Sequence, residues 1–344
     1  MSFQRARLGW AFFASCAPLA TACSIFTSLN GLTGGSADAG LDAASAGDDG
    51  GVDAFDGSVV GASDAASDAP GVPSDAVAPI SCGDAGIVCD GACIDPTSDP
   101  LNCNGCGNVC ASGICGATLA ASMASLPSGW MFNGSATYNS FAPSAELTLP
   151  GVLDQAGTFV YANPVQVDAM DVQFEFRIGL NGGTRSDGMG FMLEQSGPSA
   201  VGGTGGSLGM AGLSGFGVEL DIFDNDVCGD TSNNHVGVDD LTICNAGAGT
   251  PTSLSEVDLA TATLDLGDAH WHAADIAIAS GAVTLTIDGT VLLTSVPLTG
   301  LNAGAPYYLG FAGATGGLVA GDAGGGYRQE VKDVVIAFPT ARCL

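Results

Sequence analysis

A cluster of acidic residues between positions 216 and 239 has the residue types and spacing of a cation-binding site. Glu219 and Asp221 alternate with apolar residues, so the strand period of two projects both carboxylates from one face. Two carboxylates placed in this way repel each other and raise each other's pKa, and a bound cation removes that penalty. This segment therefore indicates a metal site that is built on a strand.

More potential ligands follow this strand. Asn225 and Asp230 lie in the next loop, and His235 begins a second strand-like segment that ends near Ile243. Oxygen ligands at this density suit a hard cation such as Ca²⁺. An added imidazole suits a transition ion such as Mn²⁺. Both ions are therefore candidates for this hairpin.

Strand patterns dominate the chain from about residue 118 onward. Apolar and polar residues alternate strictly over 171–178, and again over 283–287 and 334–338. Asp288-Gly289 supplies a tight hairpin turn after the second of these segments. Many short strands separated by Gly, Asn and Asp loops predict an all-β fold, an antiparallel β-sandwich.

The metal-binding pattern resembles that of legume-type (L-type) lectins, whose domain is a concanavalin A-like jelly-roll sandwich. The order and spacing of six residues match that family's pattern: Glu219, Asp221, Phe223, Asn225, Asp230 and His235. The resemblance implies that the first and last of these bind Mn²⁺ only and that the two aspartates bridge Mn²⁺ and Ca²⁺. It also implies that the asparagine and the main-chain carbonyl of the phenylalanine bind Ca²⁺.

Three further segments extend this resemblance, which covers about residues 125 to 340. Ser186-Asp187-Gly188 is similar to the family's Ala-Asp-Gly loop, in which Asp follows a cis peptide bond and accepts hydrogen bonds from two sugar hydroxyls. Residues 205–209 resemble a loop in which a glycine N–H, here that of Gly206, contacts the sugar. Residues 309–317 resemble the segment that closes the site, and Gly316 lies in it.

The resemblance implies a calcium- and manganese-dependent glycan-binding protein that catalyses no reaction. Asp187 would accept from two hydroxyls, the amide of Asn225 would donate, and Phe223 would lie against the apolar face of the sugar. The sequence departs from the family in a Gly-rich insertion at 320–326, within the loop that usually sets sugar preference. The resemblance therefore does not extend to the identity of the sugar.

Two alternatives compete with this interpretation. Glu219, Asp221 and Asp224 resemble the E-x-D-x-x-E strand of laminarinase-type β-glucanases, which are retaining glycosidases and need two carboxylates about 5 Å apart. The third acid is one carbon shorter here, and an enzyme leaves the asparagine and the histidine of the hairpin without a role. The other alternative is a structural surface module that binds metal but no sugar.

The N-terminus indicates secretion. Two arginines precede an apolar run over residues 8–22, which is short for a membrane span of about 20 residues. The small residues before Cys23 resemble a lipoprotein signal, so we expect a signal peptide at 1–22 and lipidation of Cys23, with an ordinary cleaved signal as the alternative. Residues 23–79 are rich in Ala, Asp, Gly and Ser, which predicts a disordered linker. The sequence therefore predicts a bacterial lipoprotein of the outer membrane or cell surface, in contact with the membrane through its lipid alone.

A small cysteine-rich module is expected at 80–116, before a sandwich at 117–344. Seven cysteines lie within 34 positions there: Cys82, Cys89, Cys93, Cys103, Cys106, Cys110 and Cys115. The secreted context favours disulfides over a zinc site at the C-x-x-C pair Cys103 and Cys106. Because seven is odd, one of these cysteines pairs outside the module or stays free.

Two further bridges are predicted. Cys228 and Cys244 flank the second half of the metal hairpin, and a bond between them would close a 17-residue ring, which stabilises the fold by about 3 kcal/mol. The resemblance implies that the first and last strands of the sandwich lie side by side, and on that basis Cys115 could pair with Cys343.

The charge balance excludes one class of partner. Acidic residues outnumber Lys and Arg by 36 to 7, which gives a net charge of −29. A chain with so few cations cannot neutralise a row of phosphates, so nucleic acid is not an expected partner.

Overall fold

The structure is a computed structural model, and it describes residues 80–179, 185–225, 230–244, 249–260, 262–317 and 326–344. The predictions for the signal peptide 1–22, the lipidation of Cys23, the linker 23–79 and the cysteine Cys228 lie outside the described residues. Within the described ranges, no helix has both the length and the apolar character needed to cross a membrane.

The described residues form eighteen strands and one short 3₁₀ turn at Gly205–Ser207. The strands are β1 (Ile87–Cys89), β2 (Ala92–Ile94), β3 (Cys115–Ala121), β4 (Trp130–Gly134), β5 (Thr137–Asn139), β6 (Ser144–Thr148), β7 (Ala156–Tyr161), β8 (Val165–Gln166), β9 (Met170–Gly179), β10 (Gly188–Glu194), β11 (Gly215–Asp221), β12 (His235–Ile243), β13 (Pro251–Asp258), β14 (His272–Ala279), β15 (Ala282–Ile287), β16 (Thr290–Pro297), β17 (Pro306–Ala314) and β18 (Arg328–Cys343).

Two antiparallel sheets form the sandwich, as the sequence predicts. The site sheet has the order β13-β12-β11-β10-β17-β7-β4, and β8 also pairs with β17. The back sheet has the order β16-β15-β14-β9-β18-β6-β5, and β3 also pairs with β18. The first and last strands of the sandwich, β3 and β18, are therefore neighbours. The fold prediction, an all-β antiparallel sandwich with a disulfide-rich module before it, is confirmed.

The main core lies between the two sheets. The strict alternation in β9 buries Val172, Phe174, Phe176 and Ile178 against the site sheet. Phe174 meets Phe311 of β17 edge to face across the sandwich, with ring centroids 4.8 Å apart. Such aromatic pairs contribute about 0.5–1.5 kcal/mol beyond the burial of their area. This core holds the strands that carry the polar cluster in a fixed register.

A second, smaller apolar cluster covers the outer face of the site sheet. Leu208 and Met210 of the loop between β10 and β11 pack there on Met192 and Leu241. The sheet accommodates this loop through a glycine, because a Cβ on Gly190 would lie 2.7 Å from the terminal methyl of Met210. The packed loop fixes the position of the Gly205–Ser207 turn beside the end of β11.

Disulfides hold the cysteine-rich module together, as predicted. Within the described residues the bonds are Cys82–Cys93, Cys89–Cys106, Cys103–Cys115 and Cys110–Cys343. The odd cysteine of the module therefore pairs outside it. No zinc site forms at Cys103 and Cys106, since each takes part in a different disulfide.

The predicted bond between Cys115 and Cys343 is wrong. The two residues do lie directly opposite each other in the ladder between β3 and β18. The module, however, folds against the end of these strands and supplies a partner to each: Cys103 to Cys115 and Cys110 to Cys343. Cys244 is disulfide-bonded too, and its predicted partner Cys228 lies outside the described residues.

Candidate functional site

The hairpin of β11 and β12 brings the first predicted ligands together. Asp221 lies opposite His235 in the ladder, and Glu219 lies opposite Gly237. The alternate residues of both strands point into the main core, so these polar side chains project from the outer face of the site sheet. They are nonetheless buried: the side chains of Glu219 and Asp221 are only 4% and 3% exposed.

The imidazole of His235 is oriented like that of a metal ligand. Its Nδ1 lies 2.5 Å from the carbonyl oxygen of Ser232, which can only accept, so Nδ1 carries the proton. Nε2 then points into the cluster, where this buried atom has no hydrogen-bond partner. Nε2 lies 3.8 Å from Glu219 Oε1 and 3.8 Å from Asp221 Oδ2. A backbone carbonyl that fixes the ring in this way is the usual support of a metal-binding histidine.

The carboxylates of the cluster hold their protons more tightly than isolated acids. Burial raises the pKa of Glu219 to about 7; the charge of His235 opposes this rise, and the charges of Glu256 and Asp230 add to it. Burial, followed by repulsion from Glu219, raises the pKa of Asp221 well above its ordinary value. These shifts show that the cluster is short of positive charge, which a divalent cation would supply.

The loop after β11 folds back onto the cluster. The backbone N–H of Phe223 donates to Asp221 Oδ1 at 2.8 Å, and that of Asn225 donates to Asp230 Oδ2 at 2.8 Å. Ligand atoms of Asp221, Asp230 and His235 all lie within 4.8 Å of one another. The residues therefore fit a divalent ion, because two oxygen donors and a free imidazole nitrogen converge on one point.

Asp187 lies immediately before β10, at the end of the site sheet beside this loop. Its backbone N–H donates to the carbonyl of Ala314 at 3.1 Å, and its carbonyl accepts from the N–H of Ile222 at 2.9 Å. Its Oδ2 is buried without a hydrogen-bond partner. Burial raises the pKa of this carboxyl to about 7, although the nearby N–H of Gly316 opposes the shift.

The peptide bond before Asp187 differs from the expectation. The described residues contain no cis peptide bond, so the bond between Ser186 and Asp187 is trans. The trans form is the intrinsically favoured one for a residue other than proline. The two backbone hydrogen bonds of Asp187 are made in this form.

Two glycines, Gly206 and Gly316, pack against the side chains of Asn225 and Asp187. A Cβ on Gly206 would lie 2.4 Å from Asn225 Oδ1, so the amide packs directly on this glycine. A Cβ on Gly316 would lie 3.0 Å from Asp187 Oδ2. The two loops also touch, since the N–H of Gly205 donates to the carbonyl of the residue before Gly316 at 3.2 Å. The structure thus brings the predicted sugar-binding residues to one place, and the half-buried Phe223 follows β11 beside them.

A family model decides the relationship that the geometry suggests. The legume lectin beta-barrel domain matches residues 121–323, which is more than half of the chain. The chain belongs to the L-type lectin family. Membership supports carbohydrate binding in general as the role of this lectin domain.

Solved structures of lectins are similar to this chain. A lectin from Bauhinia forficata in complex with GalNAc is 19% identical, covers 66% of this chain and 98% of its own, and has a TM-score of 0.51. The basic winged bean lectin with Tn-antigen is 18% identical over 65% of this chain and 98% of its own, with a TM-score of 0.49. The lumenal domain of VIP36, in a form bound to Ca²⁺ and Man₃GlcNAc, is 17% identical over 61% and 85%, with a TM-score of 0.47.

The sequence spacing did not indicate two further carboxylates near the cluster, Asp239 and Glu256. Asp239 of β12 is 1% exposed, and neither of its carboxylate oxygens has a hydrogen-bond partner. Strand alternation could have revealed it, because His235, Gly237 and Asp239 share one face. Glu256 of β13 lies 3.4 Å from the Nε2 of His235. No local pattern marks Glu256, since its position depends on the pairing of a third strand.

The burial of the acids also bears on the glycosidase alternative. Glu219 and Asp221 are almost fully buried, whereas a catalytic pair must reach a glycosidic bond in a substrate. Asp224 is half-buried, and its N–H donates to the side chain of Asn233. This arrangement favours a binding site over a catalytic one.

Proposed function

We propose that this protein binds glycans in a manner that depends on Ca²⁺ and Mn²⁺, at the surface of a bacterial cell. The observation that carries the proposal is a set of buried polar atoms without partners: Asp187 Oδ2, Asn225 Oδ1 and His235 Nε2. A buried polar atom without a partner costs about 1–3 kcal/mol, so a native site that keeps three of them together has a ligand to satisfy them.

The metal ligands divide into two groups. Mn²⁺ would be held by the carboxylates of Glu219, Asp221 and Asp230 and by His235. Ca²⁺ would be held by the same two aspartates together with two oxygen ligands from the loop, the side chain of Asn225 and the carbonyl of Phe223. Bound ions would supply the positive charge that the raised pKa values of Glu219, Asp221 and Asp230 call for, and they would hold in place the loop that carries the asparagine.

The sugar would lie above this loop. Asp187 accepts hydrogen bonds from two neighbouring hydroxyls, the amide of Asn225 donates one, and Phe223 covers an apolar C–H face. The backbone at Gly206 and Gly316 can approach the sugar closely because neither residue has a side chain. Each neutral hydrogen bond contributes only about 1 kcal/mol net, so affinity depends on groups that are already held in place.

The proposed location on the cell surface suits a site whose individual hydrogen bonds each contribute little. A lipid on Cys23 and a linker at 23–79 would hold many copies of the domain on one surface, where multivalency raises the total affinity. Labelling with radioactive palmitate, compared between wild type and Cys23→Ser, tests the anchor. Labelling that persists in the variant would contradict it.

Retention on sugar columns tests the function. The protein is applied with Ca²⁺ and Mn²⁺ to agarose that carries mannose or N-acetylgalactosamine, and to a glycan array. We expect binding to at least one glycan and release by EDTA. Binding that persists after complete chelation would contradict the metal dependence. Metal-stabilised protein that binds no glycan would favour the structural-module alternative, and release of reducing sugar from β-glucan would favour the glycosidase.

A further inference from the structure

The structure assigns Glu256 of β13 as an additional ligand of the Mn²⁺ ion, supplied by a third strand of the site sheet. This inference rests on the proposed metal site and adds a residue to it. Glu256 lies outside the hairpin that carries the other ligands, and its role follows from strand pairing, burial and the state of the neighbouring histidine.

Strand register places Glu256 in line with Glu219. Gly237 of β12 lies opposite Glu219 on one side and opposite Glu256 on the other. The glycine leaves the space between the two acids open, because a Cβ at that position would lie 2.2 Å from Glu219 Oε1. Strands are about 4.8 Å apart, so side chains of this length from the two outer strands can meet above the middle one. The site therefore receives one carboxylate from each flank of β12.

Both carboxylates converge on the same nitrogen. Glu256 Oε1 lies 3.4 Å from the Nε2 of His235, and Glu219 Oε1 lies 3.8 Å from it. Because Nδ1 is occupied by the carbonyl of Ser232, Nε2 is the ring nitrogen that faces these oxygens, and it has no hydrogen-bond partner. Ligand atoms of Glu219, His235 and Glu256 all lie within 4.8 Å of one another, which is the grouping that a bound cation requires. Donors bound at right angles, each about 2.1 Å from an ion, are about 3 Å apart, so the observed 3.4 and 3.8 Å are somewhat wider than the spacing in an occupied site.

The two oxygens of Glu256 have different surroundings. Oε1 accepts from the N–H and the hydroxyl of Thr231, at 2.8 and 2.9 Å. Oε2 is buried without a hydrogen-bond partner in a side chain that is only 6% exposed. If Glu256 served only to anchor Thr231, its second oxygen would be expected to reach water or a hydrogen-bond donor. Thr231 therefore holds the oxygen that lies 3.4 Å from Nε2, and the unpaired Oε2 leaves this carboxylate able to bind an ion through either oxygen.

Calorimetric titration of the full chain with MnCl₂ and, separately, with CaCl₂ tests the assignment. Glu256→Gln keeps an acceptor for Thr231 but removes the anionic oxygen, and we expect its Mn²⁺ affinity to fall about tenfold or more, with the Ca²⁺ affinity within about threefold of wild type. Thr231→Val removes only the hydroxyl contact and should keep the Mn²⁺ affinity. Asp258→Asn is the matched control, since Asp258 is an exposed acid on the same strand. Circular dichroism and metal-free melting verify that each variant folds.

The outcomes separate this assignment from the proposed function. A wild-type protein that binds Mn²⁺ and a Glu256→Gln variant that binds it equally well would overturn the assignment alone. A loss reproduced in full by Thr231→Val would overturn it as well, because Glu256 would then act only through that loop. An anomalous manganese peak about 2.0–2.6 Å from a Glu256 oxygen in crystals would support direct ligation. Tight Mn²⁺ binding without retention on any sugar would refute the proposed glycan binding and leave Glu256 as a ligand.

Discussion

Replacing Asp187 by Asn separates two effects of this carboxylate: its contribution to sugar affinity and its destabilisation of the metal-free fold. The side chain keeps its shape, and the backbone hydrogen bonds to Ala314 and Ile222 are unaffected. The charge is lost, and one of the two oxygens becomes an amide group that can only donate. We expect sugar binding to fail while the metal-free protein becomes more stable.

The size of both effects follows from the site. A hydrogen bond to a charged acceptor contributes about 1.5–3 kcal/mol, and two hydroxyls would lose theirs to Asp187, so we expect a loss of about 3 kcal/mol or more, which is roughly 100-fold in affinity. Burial raises the pKa of Asp187 to about 7. A pKa that is higher in the folded than in the unfolded state lowers stability as pH rises through the folded value. The neutral asparagine removes this penalty, so metal-free Asp187→Asn should melt at a higher temperature than wild type at pH 8.

Titration calorimetry with the glycan that binds best on the array measures the affinity, and scanning fluorimetry with EDTA measures the melting temperature. Asp154→Asn is the control, because Asp154 is an exposed acid nearby that raises the pKa of Asp187 through its charge. It should change the sugar affinity less than threefold. If Asp187→Asn still binds the glycan within threefold of wild type, the hydrogen-bonding role given to this carboxylate is refuted.

Three other perturbations probe separate parts of the structure. Gly206→Ala should weaken both Ca²⁺ and sugar binding about tenfold in calorimetry, because the new Cβ would lie 2.4 Å from Asn225 Oδ1 and displace the amide. Unchanged affinities would show that binding does not require the amide at this position. The metal-free protein should lose melting temperature between pH 5 and pH 8, because burial raises the pKa of Glu219 to about 7, and added Ca²⁺ and Mn²⁺ should restore it; a flat profile would count against the buried charges. The double variant Cys110→Ser, Cys343→Ser removes a disulfide with a sequence separation of 233, and its free energy of unfolding in urea should fall by up to about 5 kcal/mol. A fall below about 1 kcal/mol would show that the two segments stay in contact without the bond.

Local patterns were sufficient to predict much of the fold. The alternation in β9 depends only on neighbouring residues, and it predicted the buried face correctly. The turn between β15 and β16 was predictable for the same reason, since Asp288 and Gly289 both have positive φ, as a two-residue hairpin turn requires. The cation cluster was visible because its first ligands lie on one hairpin, where sequence spacing fixes their positions in space.

Features that depend on distant pairing were not predictable in the same way. Glu256 reaches the cluster because β13 pairs with β12, and this pairing contains two register shifts. The spacing of residues along the sequence does not predict such a pairing. The cysteine sequence predicted a disulfide framework but not its connectivity, because many pairings are compatible with the same spacing. The expected neighbourhood of Cys115 and Cys343 was correct, yet the position of the module decided their partners.

The Cys110–Cys343 bond gives the module two covalent attachments to the sandwich. One is the peptide chain that enters β3, and the other is the disulfide at the end of β18, the strand beside it. A single attachment would let a pulling force on the module peel one edge strand away, breaking its hydrogen bonds one at a time. With both strands fastened at the same end, tension from the module loads them together, and unzipping cannot begin between them until a covalent bond breaks.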